Sequence, residues 1–281
     1  MKSSPRGNRG GAFCRCSLCR VELVDIGINL THRSFDRDRD AVIARGSAAG
    51  VTTLVITGTS IPDSRRAAEL ARERPGRSFS TAGVHPHHAK DCDAHTIDTL
   101  RALAAEPHVV AIGECGLDFN RNYSPHPDQE KWFAAQVELA CELRKPLFLH
   151  SRDAKDKFVA VVRQFKNLPR AVAHCFTGEK EELHTYLDLG LYIGITGWIC
   201  DERRGAHLLQ LVGDIPADRL LLETDSPYLT PRDMRPQPKA RRNEPSHLPH
   251  IMRTVARALG KPPEQVSEET TRNAKAFFGL P

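Results

Sequence analysis

Along most of this 281-residue chain, short runs of β-branched and aliphatic residues alternate with stretches whose apolar positions recur every three or four residues. Eight short runs have strand character, at residues 22–28, 52–57, 78–84, 109–114, 147–150, 171–174, 191–196 and 219–224. Helical periodicity fills the intervals at 39–50, 61–74, 94–106, 127–144, 154–165, 179–190 and 203–213, and two further helices are expected at 248–259 and 263–278. The longest interval places Trp132, Phe133, Val137, Ala140 and Cys141 on one face. Gly190 and Gly260 stand where helix C-caps belong. Strict alternation with short linkers predicts a parallel sheet, and eight units in about 250 residues predict its closed form, a single-domain α/β (β/α)8 TIM barrel.

Composition changes this picture little. Apolar residues make up 40% and charged residues 27%, enough for a large core, and no run of about 18 apolar residues suggests a transmembrane helix. The formal charge of +5 invites a polyanionic partner. However, Lys2, Arg6, Arg9, Arg15 and Arg20 precede the first acidic residue, Glu22, and the rest of the chain balances 35 cations against 35 anions. Only a local basic patch can therefore speak for nucleic acid.

Residues 1–20 are rich in Gly, Ser and Arg and lack apolar periodicity, so they are expected to form a disordered basic tail or to reflect a start assigned too early. They carry no apolar stretch of the kind a secretory signal needs. Cys14, Cys16 and Cys19 have zinc-compatible spacing but no matching second pair nearby. Cys92, Cys115, Cys141, Cys175 and Cys200 are scattered through regular elements, as expected of reduced thiols in a cytoplasmic protein.

In such a barrel the chemistry gathers at the C-terminal ends of the strands. Asp25 and Asn29 finish the first strand, His85 and His87 the third, Glu114 the fourth, His150 the fifth, His174 the sixth and Asp225 the eighth. A single histidine at a strand end is usually a hydrogen-bonded loop residue. That explanation weakens when it must be repeated around one rim. Glu114, His150, His174 and Asp225 follow one another at intervals of 36, 24 and 51 residues, which correspond to one, one and two βα steps. Carboxylates with imidazoles suit Mg2+, Mn2+ or Zn2+, and a bridging carboxylate could hold two ions about 3.5–4 Å apart. Asp225 could then accept the proton of an attacking water.

The strings "DIGINL", "TGTS", "TAGVHPH", "AIGECGLDFNRN", "LHSRDA", "HCFTG", "YIGITGW" with "CDERRG", "ETDSPYL" and "RRNEPSHLPHI" resemble, in order, those of the TatD family of metal-dependent deoxyribonucleases. The resemblance covers residues 21–281 and leaves 1–20 without a counterpart. It implies a Mg2+-dependent 3′–5′ exonuclease of single-stranded DNA, with RNA as a further substrate and a role in repair of oxidative DNA damage. By the same resemblance, Glu114, His150 and His174 are metal ligands, Asp225 is a further ligand and base, and His85 contacts the scissile phosphate.

Arg203 and Arg204 in "CDERRG", and Arg241 and Arg242 in "KARRNEP", are placed to offer guanidinium groups to phosphate, unless they pair with Asp201, Glu202 or Glu244. Phe119 and Trp198 are candidates for base stacking or for packing. Asp153 reads as an N-cap.

Related barrels carry two histidines at the end of the first strand, where this chain has Gly27 and Asn29. The form "DIGIN" resembles a TatD subfamily mark. With Asn29 or Asp25, Asp225 and water in place of imidazoles, that position favours Mg2+ or Mn2+, giving one firm ion and one weaker ion. A monomer without membrane association is expected. Two other readings stay open: ester cleavage in D-aminoacyl-tRNA by the same centre, and a non-catalytic scaffold.

Overall fold

The computed structural model describes residues 22–238 and 241–281, so the expectations for residues 1–20 lie outside the described residues. Eight strands form one sheet in sequential order, and every neighbouring pair is parallel. They are β1 (Leu23–Ile28), β2 (Val51–Ile56), β3 (Ser78–Ala82), β4 (Val109–Asp118), β5 (Leu147–Arg152), β6 (Ala171–Ala173), β7 (Tyr192–Ile195) and β8 (Leu220–Leu222). The ring closes just beyond the last strand. There Ile28 bridges Ser226, the Asn29 N–H donates to the Ser226 carbonyl at 2.8 Å, and the Asp225 N–H donates to the Gly27 carbonyl at 2.8 Å.

Helices α1 (Arg39–Ala48), α2 (Ile61–Arg72), α3 (Thr96–Ala104), α4 (His126–Leu143), α5 (Lys155–Val162), α6 (Lys180–Asp188), α7 (Leu208–Leu211), α8 (Leu248–Leu259) and α9 (Pro263–Phe278) fill the crossovers and the C-terminus. Their apolar faces meet the outer surface of the sheet in one large core, to which Leu23, Leu54, Leu100, Phe133, Phe158 and Ile251 contribute. A smaller cluster joins Val24, Phe79, Val110, Phe148, Val172 and Leu221, each the second residue of its strand. Phe277 and Phe278 at the end of α9 pack into it, so α9 closes the N-terminal end of the barrel and leaves the opposite rim open.

Two elements depart from the periodicity. β4 does not stop at Glu114 but continues four residues further, pairing Gly116 with His150 and Asp118 with Arg152. A Cβ on Gly116, whose φ is +145°, would lie 1.9 Å from the His150 carbonyl oxygen, so only glycine lets the two strands stay this close. The helix expected over 203–213 is reduced to the single turn of α7. Upstream of it the chain folds back, with the Gly205 N–H donating to the Asp201 carbonyl at 2.8 Å.

Candidate metal centre

At the open rim, one carboxylate oxygen is the hub of three imidazoles. Glu114 Oε1 lies 2.9 Å from His150 Nδ1, 2.8 Å from His174 Nε2 and 3.2 Å from His85 Nε2. Glu114 and His150 come from adjacent strands, β4 and β5, while His85 and His174 lie just past β3 and β6. Four consecutive strands thus bring four donors to one point.

The electrostatics follow from burial and from this crowding. Burial disfavours charge on Glu114, but His174, His85 and His150 around it hold its carboxyl well below the usual carboxylate range. Burial also opposes charge on His174, yet Glu114 and Glu223 raise it well above an ordinary imidazole. For His85 burial prevails over Glu114, and its pKa falls to about 4.

A surrounding layer fixes these rings. Glu223, fully buried just past β8, places Oε2 3.2 Å from His174 Nδ1, and its Oε1 accepts the Cys175 N–H at 2.5 Å. It fits because Gly27 and Gly194 have no side chains: a Cβ there would lie 2.3 Å from Glu223 Oε2 and 2.4 Å from Oε1, respectively. Asp118 accepts from His87 Nε2 at 2.7 Å and from the N–H groups of Asn120 and Arg121 at 3.0 and 2.8 Å. Although burial pushes its carboxyl upward, the His150 imidazole beside it, with hydrogen bonds from His87 and Arg121, holds it far below the usual range.

Asp225 stands on the seam of the ring with φ +52°, a conformation that an aspartate tolerates better than most residues. Its Oδ1 accepts from Asn29 Nδ2 at 2.8 Å. Burial raises its pKa to about 7, with His174 opposing the rise and Glu114 adding to it. The amide nitrogen of Asn29, a residue expected beside the weaker ion, is therefore engaged in holding Asp225. Asp25 is not a rim residue. It lies fully buried within β1, where it accepts from the Thr224 N–H at 2.8 Å and the Thr224 hydroxyl at 2.6 Å.

Glu114, the three imidazoles around it, Asp118 and Asp225 line a cleft of about 930 Å3. Its basic lining comes from Arg121, Arg152 and Arg204, two of which the charge pattern did not single out. Arg204 lies over the Trp198 ring at 4.3 Å and pairs with Asp201 at 2.9 Å. Arg203 is exposed and Arg242 half-buried, and neither lines the cleft. Arg242 instead reaches Asp38 at 2.7 and 2.9 Å and Glu244 at 2.7 Å, so its position as a substrate contact is replaced by an ion-pair network. Phe119 stacks on His126 at 3.7 Å. Asp153 does not cap α5: it has φ +53° and accepts from Asn120 Nδ2 at 2.7 Å.

The donor set fits a divalent cation. Ligand atoms of His85, Glu114 and His150 all lie within 4.8 Å of one another, so His85, expected at the scissile phosphate, also stands close enough to share a cation with the other two. Among the described residues the buried His150 Nε2 has no hydrogen-bond partner and reaches Asp118 only at 3.5 Å. One carboxylate oxygen cannot accept well from three imidazoles at once, but the carboxylate and the imidazoles, in their neutral forms, can share a metal ion. Asp118 and Glu223 went unselected in the sequence, and His87 was placed on the rim without a role, because only the extension of β4 and the two glycines reveal where these side chains meet.

A sequentially ordered parallel barrel with imidazoles and carboxylates on its C-terminal rim defines the metal-dependent hydrolase class. Within that class the chain belongs to the TatD-related DNase family, whose model matches residues 24–279. It is 56% identical over 260 residues to the 3′–5′ ssDNA/RNA exonuclease TatD of Erwinia billingiae, covering 92% of this chain and 100% of that one. It is 51% identical to the protein of the same name from Klebsiella pneumoniae, at 92% and 98% coverage. Among solved structures, it is similar to the TatD homologue YJJV of Escherichia coli, with a TM-score of 0.84, 25% identity, and coverage of 93% of this chain and 99% of that one.

Proposed function

We propose that this chain is a metal-dependent exonuclease that removes nucleotides from the 3′ ends of single-stranded DNA and RNA. The observation that carries the reading is the convergence of His85, His150 and His174 on one oxygen of Glu114 inside an open cleft, in a chain more than half identical to exonucleases so named.

Glu114, His85, His150 and His174 would hold the firmer cation, with Asp225 facing a second, weaker one. A bound divalent cation supplies Lewis-acid polarisation of the phosphoryl group and lowers the pKa of water. Glu223 and Asp118 orient the imidazoles, the former by engaging His174 Nδ1 and the latter beside His150 Nε2. Asp225, steadied by Asn29, is the proton acceptor. Arg121, Arg152 and Arg204 on the cleft wall suit phosphate oxygens. With oxygen donors at Asp225 and Asn29 and no room for an imidazole at residue 27, the weaker position favours Mg2+, or Mn2+, over tightly held Zn2+. Action in the cytoplasm, as a monomer, on oxidatively damaged DNA ends belongs to the same proposal, as does the dispensability of residues 1–20. Among the described residues no helix is long and apolar enough to cross a membrane.

The test incubates metal-stripped protein with end-labelled single-stranded DNA, duplex DNA, RNA and aminoacyl-tRNA, then restores Mg2+ or Mn2+. Wild type should release nucleotides from 3′ ends, whereas Glu114→Ala and His150→Ala should not. Aminoacyl ester cleavage without nucleotide release would sink the nuclease reading, and equal rates in all three proteins would sink the proposed centre.

A further inference from the structure

Two groups of side chains among the described residues have ligand atoms within 4.8 Å of one another, and the second shares no residue with the rim. It joins Cys200, Asp233 and His250. Cys200 ends the tight turn Gly197–Cys200 that follows β7, Asp233 lies in the long connection between β8 and α8, and His250 is the third residue of α8. We propose that Cys200, Asp233 and His250 form a second, structural site for a borderline-soft divalent cation of the Zn2+ type, which ties the β8–α8 connection to α8 and to the turn after β7.

The geometry and the chemistry agree. His250 Nε2 is 2.6 Å from Asp233 Oδ1, and Cys200 Sγ is 3.6 Å from the Thr254 hydroxyl, one helical turn beyond His250. Burial is graded: the sulfur is buried, the imidazole half-buried and the carboxylate exposed, so a cation approaches from solvent past Asp233. One thiolate, one imidazole and one carboxylate leave a fourth tetrahedral position to water. Sulfur with nitrogen selects Zn2+, Co2+ or Cd2+ over Mg2+, which the oxygen-rich side of the rim would prefer. On binding, the thiol gives its proton to solvent and the imidazole presents its Nε2 lone pair with the ring proton on Nδ1. No bond other than S–H is broken.

The position of the site gives such a cation a purpose. The β8–α8 connection carries Tyr228 and Leu229 on the cleft wall, and Arg232 in the same segment lies 3.6 Å from Asp201, which also holds Arg204. One ion joining three segments far apart in sequence would restrain that wall without touching the rim donors.

Co2+ added to the metal-stripped full-length chain, with Cys14, Cys16 and Cys19 replaced by Ser in every protein compared so that their thiols cannot contribute, provides the test, because cobalt bound to a thiolate gives a near-ultraviolet charge-transfer band that oxygen and nitrogen ligands alone do not. The band should appear in wild type, Glu114→Ala and Cys175→Ala, and disappear in Cys200→Ser. His250→Ala, a half-buried position that keeps the sulfur, should weaken cobalt binding at least tenfold while retaining wild-type circular dichroism. In the Glu114→Ala background, Zn2+ at about a hundredfold excess over Kd should raise the Tm by about 5 °C, and adding His250→Ala should abolish that shift. A band that survives Cys200→Ser, or is lost in Cys175→Ala, would overturn the assignment, as would the absence of any thiolate signature in wild type.

Discussion

The Glu223 carboxylate occupies the space that a side chain on Gly27 would need: a Cβ at residue 27 would lie 2.3 Å from Glu223 Oε2. The same oxygen is 3.2 Å from His174 Nδ1, so the missing side chain on β1 and the orientation of a rim imidazole are one structural fact. Gly27→Ala should destabilise the protein by about 1–3 kcal/mol, the usual result of forcing an atom into a filled interior. In a Glu223→Ala background the same change should cost less, because most of the clash is gone. Denaturant unfolding of the four proteins, treated as a double-mutant cycle, checks the coupling; additive effects would mean that the two positions are independent.

Glu223→Gln keeps the volume but weakens the grip on His174 Nδ1. Metal affinity or turnover should fall roughly 10–100-fold, as for other partners that orient metal-binding histidines. Activity measured across a Mg2+ titration separates the two effects, and an unchanged curve would remove Glu223 from the centre.

Asp225→Asn should lower kcat by roughly 10²–10⁴-fold if the carboxylate accepts a proton in the reaction. Its fold should survive, because the substitution removes a buried acid whose ionisation is already disfavoured. Single-turnover cleavage alongside a thermal melt distinguishes a chemical defect from an unfolded one.

Asp25 sets a pH dependence of the metal-free protein. Burial raises its folded-state pKa to about 7, although Thr224 opposes the rise. Unfolded chains release this proton near pH 4 and the folded chain keeps it until about 7, so its contribution to stability is full below pH 4 and is lost as pH rises to about 7. Asp225 acts in the same direction. Asp25→Asn, which can still accept from the Thr224 N–H, should remove up to about 1.4 kcal/mol per pH unit from the slope in that window. Urea unfolding at intervals from pH 4 to 8 would show it, and parallel curves would refute it.

Arg242 should matter for stability rather than cleavage. Arg242→Met strips partners from Asp38 and Glu244 and should cost roughly 1–3 kcal/mol at neutral pH, with cleavage unaltered below the melting range. The pairing with Arg242 holds Asp38 at about 2, so this stabilisation is present above about pH 4 and is lost as pH falls through 2. The variant should lack that acid limb. By contrast Arg204→Ala, on the cleft wall, should raise KM and flatten the salt dependence of binding by about one unit of slope.

The barrel was legible because eight buried strands must be apolar nearly throughout while their helices keep a 3.6-residue period. Glu114, His150 and His174 were legible because each stands where an apolar run turns polar. Asp118 was hidden: it ends the four residues "CGLD" that read as a loop until Gly116 is seen to let β4 continue beside β5. Glu223 was hidden as well, since one acidic residue before Asp225 gives no hint that two glycines on other strands make room for it. Arg242 was misleading for a related reason. Its neighbours in sequence include one partner, Glu244, but the carboxylate that engages it most fully, Asp38, is 204 residues away.

The seam between β1 and β8 sets when the site can come into being. Asn29 and Asp225 are 196 residues apart and meet only where the ring closes. A chain still on the ribosome without β8 can pair β1 through β7, and can even gather Glu114 with its imidazoles, yet has neither Asp225 nor the Glu223 that steadies His174. Chemical competence therefore arrives late, with a contact that spans most of the chain, and a nascent or truncated copy is left inert towards the nucleic acid beside which it is made.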